Sequence, residues 1–202
     1  IEQLGFNTNK VKVLIHQFVT LMEKGEPVKM STRKAQYVTL DDLIDEVGQD
    51  VVRYFFLMRG MNTHLNFDLE LAKNESDENP VYYLQYAHAR LCNILKHAES
   101  LGHEFDNNTN LSDLTLDSEI LLIKSLLEFP NVVEKAHDNL EPQTIANYLQ
   151  DLAGTFHRYY AHERVVTKDS GKTSARLVLV QALQIELYNG LTLLGVHAPE
   201  RM

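Results

Sequence analysis

The sequence predicts a mainly α fold, in which a helical bundle follows a short N-terminal segment with β character. Two observations lead to this prediction. From about residue 77 onward, apolar residues recur at spacings of three and four, which is the period of an amphipathic helix. Before residue 40, β-branched residues alternate along a short stretch, as they do in strands. The chain therefore divides into a small mixed part and a larger all-helical part.

The composition is that of a globular chain with a sizeable core. Its 202 residues are 44% hydrophobic and 23% charged, which is usual for folded domains. No apolar run of about 18 residues occurs, so no membrane-spanning helix is predicted, and the N-terminus lacks the pattern of a signal peptide. The single cysteine, Cys92, excludes an internal disulfide, suits a reducing cytoplasm and is interpreted as a small core residue.

The net charge of −9 argues against a non-specific nucleic-acid binder, because such proteins are usually basic. A local basic patch remains compatible with it, and two segments could supply one. Charge alone favours an ordinary solvated surface for both segments. The first contains Lys29, Arg33 and Lys34, and the second contains Arg158, Arg164, Lys168, Lys172 and Arg176.

The β-structure is predicted to lie in the first 40 residues. Residues 10–21 alternate in hydrophobicity and predict a buried strand. Residues 27–40 predict a short strand, a basic loop and another extended piece. Residues 62–68 are predicted to form a loop, so that no strand is expected beyond residue 40.

Short helices are expected between the β-structure and the bundle. Thr39, followed by Asp42, is expected to cap a helix that stops at Gly48. A second helix is predicted over 51–59, with its cap at residue 49 or 50, and a further helical piece over 69–74. The apolar residues of the second helix surround most of its circumference, so we expect it to be buried.

Four long amphipathic stretches predict the bundle. Asn79 is a suitable N-cap and Pro80 a suitable first residue for a helix that ends near residue 101. Pro130 is expected to kink or break the second bundle helix, because proline lacks the N–H of the helical ladder. The later helices are predicted at 116–137, from Pro142 onward, and at 175–194, the last capped by Ser174 after a loop over 166–173 and ended by Gly195.

The helix at 79–101 has two faces of different character. One is an apolar stripe that consists of Val81, Leu84, His88, Leu91, Leu95 and Ala98. Tyr83, Tyr86 and Arg90 lie on another side, about 120° away at 100° per residue. Two tyrosines and an arginine on an exposed face are typical of surfaces on which unpaired bases stack. Periodicity alone favours the alternative, in which the tyrosines pack against a neighbouring helix.

Catalytic and metal-binding patterns are not found in the sequence. No Ser/His/Asp or Cys/His grouping and no glycine-rich phosphate loop is evident. His157 and His162 are five residues apart and do not share a helix face, so no metal site is predicted.

One basic segment, Lys29-Met30-Ser31-Thr32-Arg33, suits a polyphosphate. Its cations and hydroxyls could hold the phosphates and follow their charge during a reaction. The segment resembles the KMSKS loop of class I aminoacyl-tRNA synthetases, which has lysine at the place of Thr32 and serine at the place of Arg33.

The resemblance extends along the chain in the order of one family. Residues 27–59 are similar to a signature of arginyl-tRNA synthetases, and Asp50-Val51-Val52-Arg53 stands where Asp-Ala-Leu-Arg gives the DALR domain its name. Residues 64–91, 156–165 and 194–202 also resemble segments of these enzymes. The sequence is therefore identified as a member of the arginyl-tRNA synthetase family, and the resemblance covers nearly all of it.

The resemblance implies a division of the chain into three parts. Residues 1–40 correspond to the end of the Rossmann catalytic domain with its KMSKS-like loop. Residues 41–76 correspond to connecting helices, and 77–202 to the all-helical DALR anticodon-binding domain. The parent enzyme attaches arginine to its tRNA with ATP and Mg, and we expect a cytoplasmic monomer without membrane association.

The resemblance also implies which residues bind which ligand. The ATP loop carries over to Lys29, Met30, Ser31, Thr32 and Arg33, and the anticodon-binding positions to Tyr83, Tyr86, Arg90, Tyr160 and Met202. No tightly bound cofactor is expected in this part of the enzyme. The 202 residues alone are expected to be inactive, because the ATP- and arginine-binding half is not among them.

Two alternatives remain open. The chain could be part of another class I synthetase, such as the cysteinyl or methionyl enzyme. It could also be a non-catalytic helical module that binds other proteins.

Overall fold

The computed structural model describes residues 2–28, 38–106 and 108–202. These residues form seven α-helices and one small sheet, which confirms the mainly α prediction. The strands are β1 (Val19–Glu23), β2 (Glu26–Pro27) and β3 (Leu65–Asp68). The helices are α1 (Leu40–Val47), α2 (Gln49–Leu57), α3 (Leu69–Lys73), α4 (Pro80–Ser100), α5 (Asp117–Asn139), α6 (Gln143–His162) and α7 (Ser170–Leu194).

The sheet has the order β2-β1-β3 and combines two kinds of pairing. β1 pairs antiparallel with β2, and parallel with β3 in a register that places Leu21 opposite Phe67. Both of these side chains are buried. The prediction of a loop over 62–68 is therefore wrong for residues 65–68. A parallel strand pairs with a partner far along the chain, which a four-residue local pattern does not reveal.

The predicted buried strand over residues 10–21 is wrong for most of its length. Residues 11–18 have no regular secondary structure, and Val13 and Ile15 are each 79% exposed. Backbone pairing with the β3 region begins only at Gln17, whose N–H donates to the carbonyl of Met61. Alternating β-branched residues favour extended backbone, but a strand also needs a partner with which to form hydrogen bonds.

Helix α1 begins as its sequence predicts. The Thr39 hydroxyl accepts from the backbone N–H of Asp42 at 3.1 Å, and the Asp42 carboxylate accepts from the N–H of Thr39 at 2.9 Å. These bonds form a capping box. The Thr39 hydroxyl also donates to the Asp42 carboxylate at 2.6 Å, and this bond, followed by the one from the Thr39 N–H, lowers the pKa of Asp42. Gly48, with φ +87°, ends α1 and stands directly before α2. The predicted cap at residue 49 or 50 is wrong, because both lie inside the first turn of α2.

Helix α2 joins the short helices to the bundle. It contacts α4, α6 and α7, and its Tyr54 is 1% exposed and donates to the carbonyl of Ala146. Arg53 donates through Nε to the carbonyl of Leu194, the last residue of α7. The buried residues of α2 and of the bundle consequently form one hydrophobic core.

Helix α4 has the predicted start and the predicted buried face. Asn79 accepts from the N–H of Val81 at 3.0 Å, and Pro80 is the first helical residue. The predicted apolar stripe is buried, except that Leu95 is only partly covered. Cys92 is a buried free cysteine, and burial raises the pKa of its thiol, which confirms its interpretation as a core residue.

Helix α7 occupies the centre of the bundle, in contact with α4, α5 and α6. By length and composition it could span a membrane, although the sequence contains no unbroken apolar run. The fold accounts for this composition. Leu177, Leu183 and Leu187 are each fully buried against the neighbouring helices.

A break of α5 at Pro130 and the predicted start of α7 are wrong. Helix α5 continues through Pro130, so the helix is not broken there. Proline removes one hydrogen bond of the helical backbone. The packing of α5 against α6 stabilises the helix despite this loss. Helix α7 begins at Ser170, because Asp169 accepts from the N–H of Lys172. Ser174 is therefore inside the helix, and the predicted loop over 166–173 is shorter.

A buried ion-pair network joins three elements of the bundle. Arg176 is 2% exposed, and its Nε lies 2.7 Å from the carboxylate of Glu119, which is fully buried. The same guanidinium contacts Glu163 at 3.1 Å and donates to the carbonyl of Arg164 at 2.6 Å. A buried charge must be paired in this way. Arg176 consequently does not belong to a surface basic patch, and it fixes the segment that follows α6.

Candidate nucleic-acid interface

A cleft of about 660 Å³ lies between α4, the end of α6 and the C-terminal residue. Four of the five predicted anticodon-binding residues line it, namely Tyr86, Arg90, Tyr160 and Met202. Tyr86 and Arg90 are one helical turn apart on α4, whereas the other two are distant in sequence. The fold therefore brings together residues that the sequence places in three separate segments.

Arg90 lies between two tyrosine rings at this cleft. Its guanidinium carbon is 4.6 Å from the centre of the Tyr86 ring and 5.4 Å from that of Tyr160. It also donates through Nη2 to the hydroxyl of Tyr86. A cation over an aromatic face is attracted to the ring. Both rings remain partly open to solvent, with 37% and 36% of the residue surface exposed, so flat groups could still stack on them.

The aromatic surface continues from the cleft along α4. The ring of Tyr82 stacks on that of Tyr86 at 6.3 Å between centres and an interplanar angle of 10°. His157 of α6 also stacks on Tyr86, at 6.1 Å between ring centres and an interplanar angle of 24°. Below Tyr160 lies the buried Phe156, with ring centres 5.8 Å apart. The exposed rings therefore stand on a supporting layer of further rings.

Tyr83 does not line the cleft, and it is only partly exposed. Its side chain is half-buried at the contact of α4 with α6, where its ring lies 4.8 Å from that of His157. Burial is the main reason why the pKa of Tyr83 is raised. A helical wheel places Tyr83 on the side of Tyr86, but it does not show where along its length the helix is crossed by α6. Contact of Tyr83 with a ligand stays a prediction.

His157 is a residue of this site that sequence reasoning missed. Its ring lies beside those of Tyr83 and Tyr86, and its Nε2 is buried without a hydrogen-bond partner among the described residues. Burial, followed by the positive charge of Arg90, lowers the pKa of His157 to about 4. It is therefore a neutral flat ring at neutral pH. Its position three residues before Tyr160 on α6 was the signal that could have identified it.

The charges at the cleft differ from those of the whole chain. Arg90 and the exposed Arg164 both line it, whereas the carboxylate of Glu163 is paired with Arg176. Arg90 and Arg164 thus bring two positive charges to the cleft, although the chain carries a net charge of −9. Only part of the predicted basic segment at 158–176 contributes, because Arg176 is buried.

The structure gives no geometry for the other predicted binding residues. Lys29, Met30, Ser31, Thr32 and Arg33 lie outside the described residues, as does Lys34. No group of three or more His, Cys, Asp or Glu residues that could hold a metal ion occurs in residues 2–28, 38–106 and 108–202.

Comparisons with known proteins identify relatives along the whole chain. It is 52% identical over 202 residues to the arginine–tRNA ligase of Salinibacter ruber and 45% identical to that of Staphylococcus epidermidis. Each alignment covers 100% of this chain and 36% of the relative. The chain thus spans little more than a third of the length of these relatives.

Solved structures agree with the sequence relatives. A Campylobacter jejuni protein assigned to the arginyl-tRNA synthetases has a TM-score of 0.83 at 32% identity, with 100% of this chain and 43% of that chain covered. The arginyl-tRNA synthetase of Thermus thermophilus has a TM-score of 0.74 at 26% identity, with 91% and 34% covered. The family model of the DALR anticodon binding domain matches residues 84–202, which is more than half of the sequence. The chain therefore belongs to the DALR anticodon binding domain family.

Proposed function

We propose that the chain is the anticodon-binding part of an arginine–tRNA ligase, and that the cleft beside α4 binds unstacked bases of the anticodon loop. One observation carries the proposal. The rings of Tyr86 and Tyr160 come from two helices, enclose the Arg90 guanidinium and keep about a third of their surface open. Open aromatic faces and a fixed guanidinium are what splayed bases and their phosphates require.

Each part of the aromatic surface has a distinct role in this proposal. Tyr86, Tyr160 and Met202 would contact the bases, since they line the cleft. Arg90 would contact a base edge or phosphate with the N–H groups that Tyr86 does not use. Tyr83 would support the cleft indirectly, because its ring packs against His157, whose neutral ring stacks on Tyr86.

The catalytic assignments are proposals for the parent enzyme. The relatives' names support arginine as the amino acid and its tRNA as the partner. The use of ATP and Mg in the catalytic half is part of the proposal. Lys29, Met30, Ser31, Thr32 and Arg33 are proposed to contact ATP in the manner of a KMSKS loop. The boundaries at residues 40 and 76, the cytoplasmic location, the monomeric state and the lack of membrane association likewise stay proposals.

Binding of arginine tRNA to single variants tests the cleft. Arg90→Ala and Tyr160→Leu are each expected to weaken binding about tenfold, because each removes a stacking or charged contact worth ~1–3 kcal/mol. Tyr160→Phe keeps the ring and is expected to retain most of the affinity. Lys135→Ala removes an exposed positive charge from α5, away from the cleft, and serves as the charge-matched control.

The outcomes separate the proposal from its alternatives. Equal losses for Lys135→Ala and Arg90→Ala would mean that only general charge matters. A preference for cysteine or methionine tRNA would indicate another class I synthetase. No binding of any tRNA at low salt, where phosphate contacts are strongest, would favour a protein-interaction module. Circular dichroism and thermal melting of each variant show whether the bundle is intact.

A further inference from the structure

The C-terminal tail, residues 196–202, follows a defined path from α7 to the cleft. The chain leaves α7 at Gly195, and the N–H of Val196 donates back to the carbonyl of Leu191 at 2.9 Å. The tail then lies against α4, where Gln85 donates to the carbonyl of His197 at 2.9 Å. Its last residue, Met202, lines the cleft. The position of Met202 therefore depends on how the tail is attached to α4.

His88 attaches the tail from inside the protein. This α4 residue is 1% exposed, its Nδ1 lies 2.8 Å from the carbonyl oxygen of Pro199, and its Nε2 lies 2.8 Å from the side-chain amide nitrogen of Gln184 on α7. A carbonyl only accepts, so Nδ1 carries the proton, and an amide nitrogen only donates, so Nε2 is the acceptor. One neutral tautomer satisfies both bonds.

The other contacts between tail and α4 are more accessible to solvent. The ion pair of Lys96 with Glu200 has side chains that are 44% and 70% exposed, and pairs of this kind contribute little. Gln85 divides its amide between His197 and Asp50. The bond of His88 to Pro199 is part-buried, with its imidazole inside the protein, and it is worth more because breaking it leaves a buried donor without a partner. Burial also lowers the pKa of His88, which keeps the required neutral form at physiological pH.

We propose that His88 is a positioning residue for RNA binding, which holds the carbonyl of Pro199 so that the tail keeps Met202 in the wall of the cleft. His88 touches no RNA in this mechanism and acts only through the tail. The proposal rests on the proposed function of the cleft, and the position of the tail is measured separately from RNA affinity.

Three substitutions separate hydrogen bonding from packing at this position. Asparagine places an amide nitrogen where the imidazole has Nδ1, so His88→Asn can still donate to Pro199. His88→Leu fills a similar volume without a donor. His88→Gln extends its amide toward the site of Nε2, on the side of Gln184, and away from Pro199. The expected order of tail attachment is wild type, His88→Asn, and then the other two.

The first measurement observes the tail without RNA. In protein labelled with ¹³C-methyl methionine, which has five such residues, the Met202 signal is assigned with Met202→Leu. In His88→Leu and His88→Gln this signal is expected to move to the position and narrow width of a flexible tail, whereas in His88→Asn it should stay near the wild-type position. An unchanged Met202 signal in His88→Leu overturns the proposal. If His88→Leu does not fold, the Met202 signals of His88→Gln and His88→Asn are compared instead, and an unchanged signal in His88→Gln overturns the proposal.

The second measurement places His88→Leu in two backgrounds, the full chain and a chain that ends at Ala198. Affinity for an arginine-tRNA anticodon stem-loop is expected to fall about fivefold or more in the full chain, consistent with the loss of one buried hydrogen bond, and less than twofold in the shortened chain. An equal loss in both backgrounds means that His88 acts through core packing, which contradicts the proposal. If the wild-type chain binds no RNA, the proposed function fails, while the methionine spectra still decide whether His88 holds the tail.

Discussion

At the scale of single residues, the environment of a side chain decides which role its chemistry can have. Arg90 and Arg176 are the same residue type, yet Arg90 faces a cleft between two rings and Arg176 is sealed in an ion-pair network. The pKa values of His157 and Glu186 likewise depend on the environment of the side chain. Their pKa values move in opposite directions relative to the free side chains, although burial is the first cause for both.

The pH dependence of stability is expected to contain two opposing contributions. Glu186, which accepts from the Tyr148 hydroxyl, has its pKa raised to about 7 by burial. Native protein therefore keeps a proton that unfolded protein has released, and this contribution falls as pH rises from about 4.5 to 7. His157, with its pKa lowered to about 4, is neutral in the native state while the unfolded chain is protonated. Its contribution rises between pH 4 and about 6.5.

Urea unfolding at several pH values tests both signs. Relative to wild type, Glu186→Gln is expected to gain stability as pH rises from 5 to 7.5, and His157→Gln to lose it as pH rises from 4 to 6.5. Each change is on the order of 1 kcal/mol after allowance for the solvent that reaches these half-buried groups. Parallel profiles for wild type and Glu186→Gln would mean that this carboxyl titrates normally in the folded protein.

The candidate site residues could be predicted from the sequence to different degrees. Helical spacing placed Tyr86 and Arg90 on one face, family resemblance added Tyr160 and Met202, and the fold brings all four to one cleft. Helical spacing alone could not place Tyr83, because its burial depends on where α6 crosses α4. It could not identify His88 either, since its partners Gln184 and Pro199 are about a hundred residues away along the chain.

At the scale of elements, local signals predicted helix ends better than they predicted pairing. The Thr39 capping box, the Asn79 cap with Pro80, and the stop at Gly195 all act within a few residues, and the structure confirms each. The pairing of β3 with β1 acts across more than 40 residues of sequence and was missed. The start of α7 was misplaced because Gly171 suggested a loop, whereas Asp169 had already begun the helix.

The junction of α2 with α7 gives an element-scale prediction. Gly195 has φ +68°, and a Cβ there would lie 2.3 Å from Nε of Arg53, the atom that donates to Leu194. Gly195→Ala is expected to cost ~2–3 kcal/mol, since it combines left-handed strain with displacement of this arginine. Gly102→Ala is the matched control, because Gly102 has φ +77° with nothing within 4 Å of its Cβ, and should cost only ~1 kcal/mol.

Urea denaturation of both alanine variants measures the difference. In an Arg53→Ala background, the excess cost of Gly195→Ala over Gly102→Ala is expected to disappear, since no guanidinium is then displaced. If Gly195→Ala still costs more stability than Gly102→Ala in this background, the extra cost comes from a neighbour of residue 195 other than Arg53.

At the scale of the whole molecule, binding and catalysis are expected to separate. The chain spans 36% of its arginine–tRNA ligase relatives, and the proposed anticodon cleft is lined by α4, by the end of α6 with the segment that follows it, and by the C-terminal residue. The 202 residues are therefore expected to bind arginine tRNA without forming arginyl-tRNA. Filter assays with radiolabelled arginine, ATP and Mg measure the product, with a full-length relative as positive control. Arginyl-tRNA formed by the purified chain would contradict this expectation.

The two arginines at the cleft have a kinetic consequence. The chain as a whole is acidic, with a net charge of −9, so phosphates are on average repelled, whereas Arg90 and Arg164 offer positive charge at the cleft. An RNA that arrives in the wrong orientation should leave within its first encounter, whereas one that presents its loop to the cleft stays long enough for its bases to reach the rings. The net negative charge would then favour RNA molecules that arrive with the loop facing the cleft. The longer residence time of these encounters would contribute to selectivity before any base is recognised.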